Sequence, residues 1–236
     1  FFASGGMGGV YSMSPHGQME RISLGRIDRR LMDLDLETYK ARLVWNDRDE
    51  GLHVILSPYK EADAGDVAHY FWERRNGAWF EDRFGNALHH PYSATSVDGD
   101  AANDRRLLLG GEDGYVRFWD SSAKDDDGTK IDSRVLLGPF VADETGVSAR
   151  WSRLEATLGS TLDGVRVELL ASESSEVLGD VAAQGDLSAG QNMILPLRAK
   201  GAAVWMRLRN NRPGQSWALE SLRMLAQLTS RRRERT

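Results

Sequence analysis

Apolar and polar positions along this chain alternate with a period near two far more often than with a helical period, so the elements they predict are strands. The pattern is sharpest from Arg105 to Asp120, RRLLLGGEDGYVRFWD. Leu107, Leu108 and Leu109 form a short apolar run, Asp113-Gly114 supplies a turn, and Tyr115, Val116, Phe118 and Trp119 return as a second strand. An Asp-Gly pair between β-rich runs marks a hairpin, because Gly tolerates the positive φ that such turns need. Phe1 to Met13, FFASGGMGGVYSM, repeats this hairpin at an offset of 105 residues. Gly5-Gly6 and Gly9 align with Gly110-Gly111 and Gly114, and Val10-Tyr11 with Tyr115-Val116. Two repeats of ~50 residues fit that offset, near the top of the range for propeller blades.

Between the two hairpins the period changes once. Ile27, Leu31 and Leu34 are spaced i, i+4, i+7 after Ser23, which predicts a short amphipathic helix across Gly25 to Leu36 with Ser23 as its N-cap. Strands are then predicted at Ala41 to Asn46, Gly51 to Ser57, His69 to Arg75 and Ala78 to Phe84. Turn chemistry separates them: Asn46 to Gly51, then Pro58 with an acidic loop to Asp66, then Asn76-Gly77. Four antiparallel strands in about 45 residues are what one blade requires. Ser93 to Val97 starts the next blade, whose middle is the Arg105 to Asp120 hairpin.

The polar stretch SSAKDDDGTKID, Ser121 to Asp132, breaks the pattern. Beyond it, strands are predicted at Val135 to Phe140, Val147 to Leu158, Gly164 to Ala171, Asn192 to Arg198, Ala202 to Asn210 and Trp217 to Leu228. Val165, Val167 and Leu169 read as one face, and Val204, Met206 and Leu208 as another. The fold class expected is therefore all-β: a partial β-propeller of two to three blades over 1–120, an acidic connector over 121–133, an antiparallel β-sandwich over 134–230, and a basic tail, RRRERT, over 231–236. A propeller needs at least about four blades, because each buries its faces only against its neighbours. Residues 1–120 supply about two and a half, so the ring would be completed by other sequence or other chains. The start at Phe1-Phe2, without Met and already strand-like, suits the C-terminal part of a longer polypeptide.

Composition narrows the functions. The chain has 41% hydrophobic residues, enough for a core, and no cysteine, which removes disulfides, thiolate metal sites and cysteine nucleophiles. No run reaches the ~18 apolar residues of a membrane span, and no signal peptide is evident, so no membrane partner is expected. The net charge of -5 is concentrated: Thr95 to Thr145 holds 12 acidic and 6 basic residues, a balance of -6 that leaves +1 elsewhere. That argues against a general nucleic-acid-binding surface and suits a wall that DNA slides past without sticking.

Candidate chemistry is thin. Asp125-Asp126-Asp127-Gly128 with Asp132 suggests calcium, but the spacing misses the alternate-position ligands of an EF-hand loop and no Glu closes it. It reads as a solvated turn, as do Asp98, Asp100 and Asp104. His89-His90, with His53 and His69, invites a metal, yet adjacent residues on an extended segment point opposite ways, and loop or core-edge histidines are expected. There is no nucleophile elbow, P-loop or HExxH, and no strand pattern singles out a carboxylate pair. Trp72, Trp79, Trp119, Trp151, Trp205 and Trp217 would make a sugar platform if exposed, and core at strand positions. No catalytic, cofactor-binding or metal residue is assigned, and no cofactor is expected.

The Phe118-Trp119-Asp120 ending is similar to the last half of a WD40 repeat, in one copy and without the Gly-His element. A longer pattern resembles the tail nozzle (tail tubular protein B-like) group of virion proteins from short-tailed, double-stranded DNA phages. It comprises GGVYSM with RISLGRIDRRL, LVWNDRDEGLHVILSP with HYFWERRNGAWFEDRF, HHPYSATSVDGD, LLLGGEDGYVRFWD, DDDGTKIDSRVLLGPF and SWALESLRML. The resemblance implies a non-enzymatic virion tail protein forming a homo-oligomeric ring, typically sixfold, that meets other tail proteins such as an adaptor. Double-stranded DNA would pass through it without specific binding. The competing expectations are a propeller-based module that binds protein or carbohydrate, and a propeller hydrolase.

Overall fold

The computed structural model describes residues 1–4, 8–35, 37–59, 67–101, 104–142, 148–160, 163–195 and 198–230. It is nearly all β, with 57% of residues in strands and 4% in helix, arranged as several antiparallel sheets of which none closes into a barrel. The chain divides into two compact units, Phe1–Ala123 and Lys124–Thr236. No helix among the described residues is long and apolar enough to cross a membrane.

The first unit holds three sheets in chain order. Strands β1 (Phe2–Ser4), β2 (Gly9–Met13) and β3 (Met19–Arg21) form the first, before a helical turn α1 (Asp28–Met32). Strands β4 (Tyr39–Asn46), β5 (Gly51–Pro58), β6 (Ala68–Glu73) and β7 (Trp79–Asp82) form the second, and β8 (Pro91–Val97), β9 (Arg106–Gly111) and β10 (Val116–Phe118) the third. Each is a meander, strand pairing with the next. The second sheet is buried on both faces, and β5 throughout its length. Side chains alternate faces along a strand, so Leu52, Val54 and Leu56 pack with Val10, Ile27 and Leu31, while Ile55 packs the other way on Leu107 and Leu109. Fully burying each such aliphatic side chain contributes about 1.5–3 kcal/mol.

Both predicted hairpins form, with longer loops than two residues. Gly110 pairs with Val116, leaving Glu112-Asp113-Gly114 as the loop, with Gly114 at φ 80°. Trp72 pairs with Trp79, and Gly77 takes φ 67° in the loop between them. The repeat at Phe1–Met13 is also a hairpin, Ser4 pairing with Gly9, although its Gly5-Gly6 lies outside the described residues. The helix is shorter than its periodicity suggests, and Leu36, its expected end, is outside the described residues. Ser23 does not cap it. Its hydroxyl accepts from the Val10 N–H at 2.9 Å and donates to the buried Asp28 carboxylate, which also meets Arg21 at 3.1 Å. Asp28 thus draws Ser23 into a link between sheet and helix. The acidic loop up to Asp66 is outside the described residues from 60 to 66.

In the second unit the acidic segment is itself structured. Strands β11 (Asp125–Asp126) and β12 (Thr129–Lys130) close a small hairpin through Asp127 at φ 51° and Gly128 at φ 81°, the two left-handed residues of a primed turn. Then come β13 (Ser133–Val141), β14 (Ser148–Leu158), β15 (Val165–Ser172), β16 (Asp180–Leu187), β17 (Gln191–Leu195), β18 (Ala199–Gly201), β19 (Ala203–Asn210) and β20 (Leu219–Ser230). One sheet runs β13-β19-β15-β16; in the other, β14 pairs β17 and β18 as well as β20. Both feed one large apolar cluster, and Leu170, Ala203 and Trp205 form a smaller one on the β15–β19 pair. Val167 faces Leu208 and Leu169 faces Met206 across one strand pair, so the two triplets read as separate faces line the same face of one sheet. The basic tail, 231–236, lies outside the described residues, as does Val147, the expected first residue of β14.

Candidate functional site

The register of the second sheet gathers its polar side chains on one face. Ile55 lies opposite His69, and His69 opposite Asp82, while His53 and Phe71 form the neighbouring rank. This is the face that Leu107 and Leu109 cover, so histidines expected at loops or core edges are instead in the core: His53 and His69 are 0% exposed. His53 Nδ1 lies 2.8 Å from His69 Nε2, and His69 Nε2 lies 3.9 Å from Asp82 Oδ2. Aromatic rings wall the group. Trp119 stands edge-on to both imidazoles, Phe84 stacks on His69 at 5.6 Å, and Phe71 lies 4.8 Å from His53.

Asn46 sets the tautomers. Its Oδ1 accepts from the Arg48 N–H at 3.1 Å, which turns Nδ2 toward Asp49 Oδ2 at 2.9 Å and His53 Nε2 at 3.4 Å. His53 Nε2 then accepts, its proton sits on Nδ1, and that N–H donates to His69 Nε2. The His69 proton is left on Nδ1, which has no hydrogen-bond partner among the described residues. Asp82 Oδ2 is shut off from solvent and equally without one. Buried polar atoms in this condition cost about 1–3 kcal/mol each.

Burial in low dielectric pushes His53 and His90 down to about 4, and His69 well below its ordinary value with further help from His53 and His90. Burial pushes the Asp82 carboxyl up to about 7, with the Asp49 and Glu81 charges adding to it. At neutral pH the imidazoles are uncharged and Asp82 is close to half-protonated. Asp49 borders the group: its Oδ2 accepts from Trp119 Nε1 at 3.0 Å and its Oδ1 from Ser121 Oγ at 2.9 Å, tying the β4–β5 turn to the end of the third sheet. Outside these aromatics runs an open groove lined by Arg48, Glu50, Phe71, Glu73, Arg75 and Trp119.

One ligand atom each from His53, His69 and Asp82 lie within 4.8 Å of one another, a set able to hold a metal ion. Both histidines stand out in the sequence, and Asp82 does not. The signal was present: a hairpin register that pairs Trp72 with Trp79 also pairs His69 with Asp82. His89 and His90 do not join them. His89 Nε2 approaches Asp113 at 3.8 Å, whereas His90 Nε2 lies 3.3 Å from the Leu56 carbonyl.

The remaining candidates are dispersed. Asp132 is clamped by Arg209 at 2.6 and 3.0 Å, and Asp125 accepts from the Gly128 N–H at 2.9 Å inside its own hairpin. Asp98 pairs with Arg105 at 3.3 Å, Asp104 accepts from the Ala101 N–H at 3.3 Å, and Asp100 stays exposed. Trp151 and Trp205 are buried, and Trp72, Trp79, Trp119 and Trp217 pack partly buried against apolar clusters. No protein-family model and no curated protein matches the sequence.

Proposed function

We propose that this protein is a non-enzymatic structural component of a phage tail, in which propeller blades and a β-sandwich assemble into a ring or conduit for DNA. One observation carries the reading. The second sheet is covered on both faces, while the third is buried on one face only. Its far face carries Val97, Val116 and Phe118, which are 43%, 68% and 55% exposed, with Arg106 over the Phe118 ring. The three sheets fit one blade pattern of four strands, A to D. On that pattern β4 to β7 are a whole blade, β1 to β3 supply B to D of the one before, and β8 to β10 supply A to C of the one after. The 105-residue repeat then aligns B with B and C with C. The open face is where a further blade would stack, and the second unit, with two sheets on one core, reads as the sandwich.

Acidity concentrated between Thr95 and Thr145 suits a surface that DNA passes without adhering. Subunit contacts would carry specificity, with an adaptor among the neighbours. Light scattering and native mass measurement test the reading. The expected result is a discrete ring such as a hexamer, which Phe118→Asp dissociates while circular dichroism keeps its β signature. A persistent monomer would sink it. The groove beside Phe71 and Trp119 favours the second reading, a module that binds protein or carbohydrate, and monomer binding on a glycan panel would select it.

A further inference from the structure

We propose that His53, His69 and Asp82 form a structural site for one divalent transition-metal cation of the zinc class, held between His53 Nδ1, His69 Nε2 and Asp82 Oδ2. The donor set comes first. Two imidazole nitrogens and a carboxylate oxygen are borderline ligands suited to Zn²⁺, whereas Ca²⁺ and Mg²⁺ prefer all-oxygen shells. Size also fits. Tetrahedral ligands at about 2.0–2.1 Å from zinc stand about 3.3 Å apart. The separations of 2.8 Å and 3.9 Å along the cluster bracket that edge. Seating the ion opens the first by a few tenths of an ångström and closes the second.

One further observation points to a ligand atom of this set. Asp82 Oδ2 is buried without a donor, although its side chain is held by the pairing of β6 and β7. A cation gives the carboxylate oxygen the positive partner that it lacks. Binding displaces the proton that His53 Nδ1 donates to His69, and moves the His53 proton to Nε2. There it faces the Asn46 Nδ2 donor across 3.4 Å, so seating the ion turns the ring away from Asn46 and gives up that contact. The ionised Asp82 and nearby Asp49 offset the two positive charges. Trp119, Phe84 and Phe71 wall the imidazoles, while the Asp82 side chain is 24% exposed and leaves the fourth position to water. With one ligand from each strand, the ion pins β5, β6 and β7 together. The inference does not depend on the ring reading, and either stands without the other.

The test uses the full chain, purified without chelator, stripped with EDTA and titrated with ZnCl₂ alone, then with CoCl₂ as a spectroscopic reporter. One equivalent of Zn²⁺ should bind and raise the thermal midpoint, and Co²⁺ should give the visible absorption of a tetrahedral N/O site. Asp82→Asn and His69→Gln should each lower Zn²⁺ affinity by more than the ~10–100-fold that loss of an outer-shell partner costs. Absence of stoichiometric binding by the unmodified chain overturns the proposal whether or not the variants fold. So does binding undiminished in Asp82→Asn, which would place the ion at His16 or elsewhere on the surface.

Discussion

The two units bury their β-sheets differently. The second gathers Leu154, Leu158, Val167, Leu169, Met206 and Leu208 into one large apolar cluster fed by both of its sheets, with Leu170, Ala203 and Trp205 as a small apolar cluster beside it. The first divides its apolar residues between clusters on either side of β5 and sets buried polar groups among them. Of the buried polar side chains among the described residues, only Asn210 lies in the second unit; Ser23, Asp28, Asn46, His53, Ser57, His69, His89 and His90 lie in the first. A dry core takes its stability from packing, and depends little on pH. A core with imidazoles and carboxylates takes part of its stability from protonation and pairing, and responds to acid and to ions.

The largest effect should come from the dry core. Leu154→Ala removes a fully buried side chain from the centre of β14 and should cost about 2–5 kcal/mol, because the surrounding sheets relax only partly into the cavity. Hydrogen exchange read peptide by peptide should show lost protection across β13 to β20 and little change across β4 to β7. Equal loss in both units would end the contrast, since it would mean a single cooperative core.

Acid should do the reverse. The unfolded chain protonates its histidines near 6.5, whereas burial holds His53 and His90 in the folded chain to about 4 and His69 well below its ordinary value. Below pH 6.5 the unfolded state therefore binds more protons, and stability falls as pH drops from 6.5 toward 4. Asp82 has the opposite sign. Its folded carboxyl titrates near 7 and its unfolded one at 3.8, so its cost is largest above pH 7 and is relieved as pH falls toward 3.8. Three imidazoles outweigh one carboxyl, so EDTA-treated protein should lose stability on net between pH 6.5 and 4.5. All five histidines lie in the first unit, so urea melts followed by hydrogen exchange should show acid loosening there. Equal loosening of the second unit would contradict the assignment of the pH response to the buried cluster.

The same contrast explains what was legible in the sequence. The four strands of the second sheet were legible to within two residues at each end, because aromatic and β-branched runs there are bounded by turn residues whose chemistry is local. The β16 strand was not read. Ala183, Gly185 and Leu187 alternate with the exposed Gln184 and Asp186, but two of the three inward residues are too small to stand out as an apolar face on this sheet-edge strand. Nor did the periodicity of β14 announce its break. Ala149 and Trp151 share the core with Leu154, Ala156 and Leu158 only because a bulge between Trp151 and Arg153 shifts the parity. The histidine cluster was half legible. His53 and His69 stand out as residues, but their meeting with Asp82 depends on register across three strands, a relation between turns rather than a property of any one segment.

The smallest effect separates backbone from packing. Gly77 in the first unit and Gly214 in the second sit at φ 67° and 68°, and a Cβ at either position meets nothing within 4 Å. Alanine at each should cost only the left-handed penalty of an L residue, about 1–2 kcal/mol, and by a similar amount in both units. Gly201 is different, since a Cβ there would press on the Ser172 carbonyl at 2.7 Å, and neither backbone can retreat without disturbing the strands around it. Gly201→Ala should therefore exceed Gly77→Ala and Gly214→Ala in thermal denaturation. Gly51 in the first unit is as tight, a Cβ there meeting the Trp72 carbonyl at 2.6 Å, so Gly51→Ala should match Gly201→Ala. If all of these substitutions shift the midpoint equally, close backbone approach does not limit either unit.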